Sequence, residues 1–452
     1  MSVEQKNRKV ESAPKVESGP LPNVFAGLFG LLLGLALVKF GNPVIMEKLV
    51  DPPANFLEMI LNPWPAIWGY WLLAGVTVLG LMVAKRETNA PKFLVALPLA
   101  WLVWEFIAGT STVDKALTRA TLAHFTTCVV CFYLGLFSLS RVRAIGWFWG
   151  GLLAGFTWVL IVGFQQHFGG LEETRRYFYL YIYPTLKTVP PELLKKVSSN
   201  RIFATLFYPN ALAGVILLVL PPTLAFIWSL RERLTSGARV FLMALYGVAA
   251  LGCLYWSGSK GGWLLMLVTL LVGSFFMPMK QRVRLAIVGT FMVLGVAGFA
   301  LKYQGFFKKG ATSVVARGDY WRAAVETTKV HPVFGTGPGT FAKAYEKIKK
   351  PESEMSRLTH NDYLQQASDS GVLGFLLYAA FLSYSIYFIY SRTDIRGHWL
   401  KLGVWLGLLG WALQSTVEFG LYIPALSWIA FGFMGWLLGQ VPNRIDRQHS
   451  TG

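Results

Sequence analysis

Charge is what this chain has least of. Asp, Glu, Lys and Arg make up 14% of 452 residues, and the acids are outnumbered by the bases, 23 against 42. With 54% hydrophobic residues and a mean hydropathy of +0.47, the composition excludes an ordinary soluble domain and fits a polytopic membrane protein. Cysteine is nearly absent too. Cys128, Cys131 and Cys253 all lie inside apolar runs, beyond easy reach of an oxidant or a hydrated metal, so CVVC at 128–131 reads as part of a hydrophobic helix and not as a redox or metal pair. Histidine is also sparse, and His124, His167, His331, His360, His398 and His449 show no metal-ligand spacing. The net charge of +19 does not by itself indicate nucleic acid, because membrane proteins gather Lys and Arg in their loops.

Apolar runs are what the chain has in excess. About twelve of them, each roughly 17 to 22 residues long, are able to cross a hydrocarbon core of about 30 Å at 1.5 Å per residue. They fall near 22–40, 66–84, 92–109, 120–140, 144–164, 209–230, 239–256, 261–277, 285–301, 371–391, 400–416 and 425–440. The expected fold is an all-α integral membrane protein with about 12 transmembrane helices. The first run, NVFAGLFGLLLGLALVKF, is followed by no small-residue cleavage site and reads as an uncleaved span.

Loop charge orients the spans. With the amino terminus inside, one face collects about 20 Lys and Arg against about 4 in the short loops opposite, so both ends lie inside. The chain then divides into an inner tail at 1–21, nine spans within 22–301 with an outer loop at about 165–208, a large outer loop at 302–370, three spans within 371–440, and an inner tail at 441–452. The two long outer loops carry about 17 Lys and Arg against about 8 acids up to residue 360, and that excess calls for an anion. Most such lysines are solvated charge beside headgroups; a phosphate site needs particular cations held in place.

The larger loop has internal order. RGDYWRAAVETTKV and PGTFAKAYEKIKK are spaced as short helices, the first with Trp321, Ala324 and Val325 on one face, suited to lying along the membrane. Between them HPVFGTGPGTF marks a tight turn at Gly335, Gly337 and Gly339. It follows no strand and faces away from the inner side, which argues against a nucleotide cradle.

Four stretches at outer loops or helix ends concentrate reactive groups: SSNRIFATLFYPNALAG (198–214), SGSKGGW (257–263), VVARGDYWRAA (314–324) and THNDYLQQASDSGVLG (359–374). Asn361 or Asp362 is placed to cap the helix that follows His360. In this order the stretches resemble the O-antigen ligase and polymerase superfamily, multi-spanning bacterial glycosyltransferases that use polyprenyl-linked sugars. The likeness rests on Arg201, Phe203, Thr205, Pro209 and Asn210 at the head of one helix, and on Ser259, Lys260 and Gly261 in a turn. Arg317, Trp321, Pro332 and Gly335 to Gly339 follow in the large loop, then His360, Asn361, Leu364, Gly371 and Gly374 at a helix entrance. It spans about 195–390 by motif and the whole chain by layout. Lys260 stands where the family pattern has Arg, which keeps the charge but loses the bidentate fork.

The resemblance implies a bacterial inner-membrane enzyme with a periplasmic loop and active site and cytoplasmic termini. Its donor would be an undecaprenyl-diphosphate-linked glycan, and its acceptor lipid A core, another glycan repeat or a protein hydroxyl. The His-Asn motif and the single large late loop look closest to the ligase branch. Such a donor arrives with its leaving group activated, so the enzyme has to neutralise a departing diphosphate and take a proton from an attacking hydroxyl. By resemblance Arg201, Lys260 and Arg317 bind the diphosphate, Asn361 assists in substrate binding, and His360 is the general base of an inverting transfer. No metal and no cofactor is expected, and the partners are membrane lipids, not nucleic acid. A glycan transporter is the competing class; it should carry charged or broken-helix sites near the membrane midplane.

Overall fold

The computed structural model describes residues 19–185, 194, 197–277, 280–308, 312–351, 353–393, 395 and 397–442. Most of both tails assigned above, 1–18 and 443–452, therefore lies outside the described residues. Among the described residues there are helices and turns and no strand. Helices fill all the apolar segments: α1 (Pro20–Lys39), α3 (Ala66–Val83), α4 (Lys92–Gly109), α5 (Lys115–Tyr133) and α6 (Gly146–Gln165), with α2 (Phe56–Leu61) and α7 (Leu171–Tyr177) as short additions. They continue as α8 (Pro209–Ser229), α9 (Ser236–Ser257), α10 (Lys260–Ser274) and α11 (Gln281–Lys308), then α12 (Thr312–Val330) and α13 (Phe341–Ile348) in the large loop. The chain closes with α14 (Asp362–Arg392), α15 (Trp399–Gln414) and α16 (Pro424–Gly439). Nine of the described helices are long and apolar enough to cross a membrane, and α10 and α16 are shorter apolar helices. The chain is a multi-pass membrane protein.

Two packing devices hold the bundle. Helix α1 lies against α6 where Gly30 and Gly34 meet Gly151 and Gly155; a Cβ on Gly34 would stand 2.2 Å from the Gly151 carbonyl oxygen. Small residues allow helix backbones in lipid to approach closely enough for dispersion to replace the missing hydrophobic drive. Helix α16 is apolar on every side and buried from Pro424 to Leu438, packed against α1, α5, α8, α14 and α15. It is the central post, which explains why its sequence shows no amphipathic period.

The entrance to α14 differs from the sequence expectation. The helix begins at Asp362, nine residues before the apolar run starting at 371, and its path breaks at Gly371 (φ 71°, ψ −174°). The break turns backbone groups toward the glycine-rich turn, so that Thr336 N–H donates to Ser368 O (3.1 Å), Gly337 N–H to Asp369 O (2.8 Å) and Val372 N–H to Pro332 O (2.9 Å). A Cβ on Gly371 would sit 2.0 Å from the Val333 carbonyl oxygen, so the position requires glycine for both conformation and space. The turn is thus a structural plug. Its neighbour α12 buries Tyr320, Ala323, Ala324 and Thr327, while Val325 is exposed. The buried face is shifted from the Trp321–Ala324–Val325 face read in the sequence because α12 packs on α13 and α14 and does not lie flat on lipid.

Candidate active site

Three separate segments converge where α8, α12 and α14 approach the turn between α15 and α16. That turn carries Glu418, whose side chain is only 7% exposed yet accepts from four partners. Tyr208 Oη–H donates to its Oε2 at 2.6 Å, and Asn210 Nδ2 donates to Oε1 at 2.6 Å. Arg317 Nη2 donates to Oε1. His360 Nδ1 lies 3.0 Å from Oε2. A carboxylate facing Nδ1 places the imidazole proton there and leaves the Nε2 lone pair free to accept another. Burial alone would push the Glu418 carboxyl up; the His360 ring, by charge and hydrogen bond, and the Arg317 guanidinium outweigh it and hold it at about 2.

The His360 backbone is itself strained. Among the described residues only Ala204 and His360 are non-glycine residues at positive φ, 54° and 53°. A left-handed conformation costs a non-glycine residue on the order of 1–2 kcal/mol, and it persists only where neighbours impose it. Each is clamped by a buried glutamine or its neighbours. Gln166 Oε1 accepts from Phe203 N–H (3.0 Å) and Ala204 N–H (2.8 Å), and Gln365 Oε1 accepts from Thr359 N–H (2.8 Å). Asp362 N–H donates to Ser415 O (2.8 Å) and Asp362 Oδ2 accepts from Leu421 N–H (2.9 Å), tying the helix entrance to the Glu418 turn. The imidazole is walled by Phe419, ring centroids 4.7 Å apart, and by Tyr320, stacked at 5.8 Å.

The cations surround this dyad. Arg201 Nε donates to Ser257 O (2.7 Å) and Nη2 to Asn210 Oδ1 (2.8 Å), so Asn210 links Arg201 to Glu418. Burial pulls the Arg201 guanidinium below its ordinary value, against the attraction of Glu418. Arg317 Nε donates to Val417 O at 3.1 Å. Lys260, the first residue of α10, is within electrostatic reach of Arg201 and Arg317, and its Nζ lies 5.1 Å from the Tyr303 ring centroid. The turn before it needs Gly258 in the left-handed region (φ 61°), where a Cβ would press on the Arg201 side chain at 3.2 Å. Lys302, near the end of α11, is within electrostatic reach of Arg201 and Lys260. Arg201 and Arg317 are thus drawn to Glu418 while Lys260 and Lys302 stand within electrostatic reach of Arg201, a clustering of positive charge suited to an anion.

Asn361 is the cap of α14: its Oδ1 accepts from Leu364 N–H at 3.0 Å. Replacing it with alanine is expected to lower stability by about 1 kcal/mol, with serine restoring most of it, as thermal unfolding in detergent would measure. Activity that stays low in the serine variant would instead give the amide a direct contact with substrate. Sequence reasoning had not singled out Glu418, Tyr208 or Lys302 as site residues. Glu418 did leave a signal, being the lone acid between Asp394 and Asp446.

Residues 245–379 match a family model described as O-Antigen ligase. Over this segment the chain is similar to the O-antigen ligase family. The matched stretch contains Lys260, Lys302, Arg317, His360 and Asn361, whereas Arg201 and Glu418 lie outside it and join the site only through the fold. At the level of the family, O-antigen ligases are glycosyltransferase-type enzymes acting on lipid-linked glycans in membranes. No curated protein matches the chain.

Proposed function

We propose that this protein is an O-antigen ligase of the bacterial inner membrane, with twelve spans, cytoplasmic termini and a periplasmic site, transferring a glycan from undecaprenyl diphosphate to a hydroxyl of lipid A core. The observation that carries the reading is the His360–Glu418 pair set among Arg201, Arg317 and Lys260. In the proposed reaction His360 Nε2 takes the acceptor hydroxyl proton as its oxygen bonds to the anomeric carbon. The bond from that carbon to the diphosphate oxygen breaks on the opposite face, which inverts the centre. The electron pair leaves on the diphosphate, whose charge the three cations neutralise, and Glu418 stabilises the imidazolium that forms. Every part is supplied by side chains, with no metal invoked. A repeat-unit polymerase or a protein O-oligosaccharyltransferase would share the donor half of this reaction, so the acceptor separates them.

The test uses the purified full-length protein, an undecaprenyl-diphosphate glycan, and lipid A core, a glycan repeat and a Ser- or Thr-bearing peptide as acceptors. Product on lipid A core alone is the expected result; product only on another acceptor reassigns the branch, and none on any of the three sinks the reading. Transport is the weaker class here because the buried acids do not sit at a midplane: Glu105 is four residues from the end of α4, and Glu418 is in a turn between helices.

A further inference from the structure

Helix α11 is unlike the other long apolar helices. Its membrane-crossing window is almost wholly exposed, with Gly295 the buried position within it, and α10 is its main packing partner. It touches the bundle along one stripe, where Gly295 lies against Leu267 and its carbonyl accepts from Trp263 Nε1 (3.3 Å), and where Tyr303 is buried at the outer end. Yet this helix brings Lys302 to the cation cluster. Lys302 Nζ donates to Tyr255 O and lies 3.2 Å from the Tyr255 ring centroid and 5.6 Å from that of Tyr303, the same ring that Lys260 approaches.

Below Lys302 the same flank of the helix, at four, eight, eleven and fifteen residues back, carries Gly298, Leu294, Phe291 and Ile287. All four are exposed, Leu294 at 65% and Phe291 at 60%. At Gly298 a Cβ would meet nothing within 4 Å. The flank therefore starts with a notch directly under the lysine and continues as open apolar surface for about 22 Å at 1.5 Å per residue.

We infer that this flank of α11 is the seat of the donor lipid: Lys302 contacts the lipid-proximal phosphate, the Gly298 notch takes the first isoprene units, and Leu294, Phe291 and Ile287 carry the chain toward the midplane. The inference rests on the proposed function, which supplies a lipid diphosphate as ligand. The occupant follows from charge and continuity. A diphosphate lipid needs cations at the interface joined without a gap to lipid-facing apolar surface; Arg201 and Arg317 are folded inward on Asn210 and Glu418, whereas Lys302 stands on a helix open to lipid.

The test compares binding of glycan-free undecaprenyl diphosphate to the detergent-purified full chain by native mass spectrometry. Gly298→Leu fills the notch with an apolar side chain that helix and bilayer both accept, and Gly289→Leu makes the same change on the other flank, where a Cβ also meets nothing. The expected result is about a tenfold weaker Kd for Gly298→Leu and Lys302→Ala and no change for Gly289→Leu. Equal effects of the two leucines, or weakening only in an Arg201→Ala variant, would overturn the seat while leaving the donor reading intact. Gly298→Leu altering the oligomeric mass would overturn it in favour of a contact between copies. If the unsubstituted protein binds no diphosphate lipid, the proposed function itself fails.

Discussion

His360→Ala is expected to lower transfer about 10²- to 10⁴-fold, the usual worth of a positioned general base, with donor affinity nearly unchanged. The geometry separates those two effects. Nδ1 is committed to Glu418, so the ring has a single free nitrogen to lose, while Arg201 and Arg317, proposed to hold the diphosphate, bond to Asn210, Ser257, Val417 and Glu418 and not to the imidazole. Alanine at φ 53° adds backbone strain of its own. His360→Asn is the better companion, because asparagine tolerates the left-handed region and removes the base without that penalty. Both variants should fall in kcat and hold their KM for donor. A drop in KM performance alone, with kcat intact, would make His360 a binding residue and dismiss the base mechanism.

How much of this was legible beforehand varies with the range of the interaction that decides it. Apolar run length is a local property, and a helix fills each run. The charged stretches were legible as candidates because His360, Arg201 and Arg317 interrupt apolar or small-residue sequence at outer loops or helix ends. Their convergence was not, since it depends on the turn between α15 and α16 folding back over the entrance to α14 through Asp362. Glu418 belongs to that turn and has no partner within the local sequence; its four contacts come from residues 58 to 210 positions away.

Lys302 was not legible for a different reason. It falls one residue past the end of the apolar run and so counts as loop charge, and only the continuation of α11 to Lys308 carries it on a helix beside Tyr255. The glycine turn shows the same division between local and distant causes. Its tightness was evident from Gly335, Gly337 and Gly339, whereas its partner, the break at Gly371, is a backbone pairing across some thirty residues that no side-chain pattern announces.

Glu418 should yield two separable losses. Glu418→Ala strands Arg317, Asn210, Tyr208 and His360 without their acceptor, and breaking a buried ion pair in this way costs about 3–5 kcal/mol, enough to lower expression as well as activity. Glu418→Gln keeps the shape and removes the charge. It is expected to fold, to bind donor, and to lose activity on the order of 10²-fold because the imidazolium formed during transfer has no counter-charge. The sign of its pH dependence follows from the carboxyl being held at about 2 against an ordinary 4.5. A depressed carboxyl stabilises fully above its unfolded value and loses that contribution as pH falls toward the folded one. The difference in Tm between the unsubstituted protein and Glu418→Gln should therefore shrink as pH falls from 4.5 toward 2. A difference that widened over that same interval would mean the carboxyl is raised instead, and the His360–Glu418–Arg317 arrangement would then not be the charged one that the proposed transfer requires.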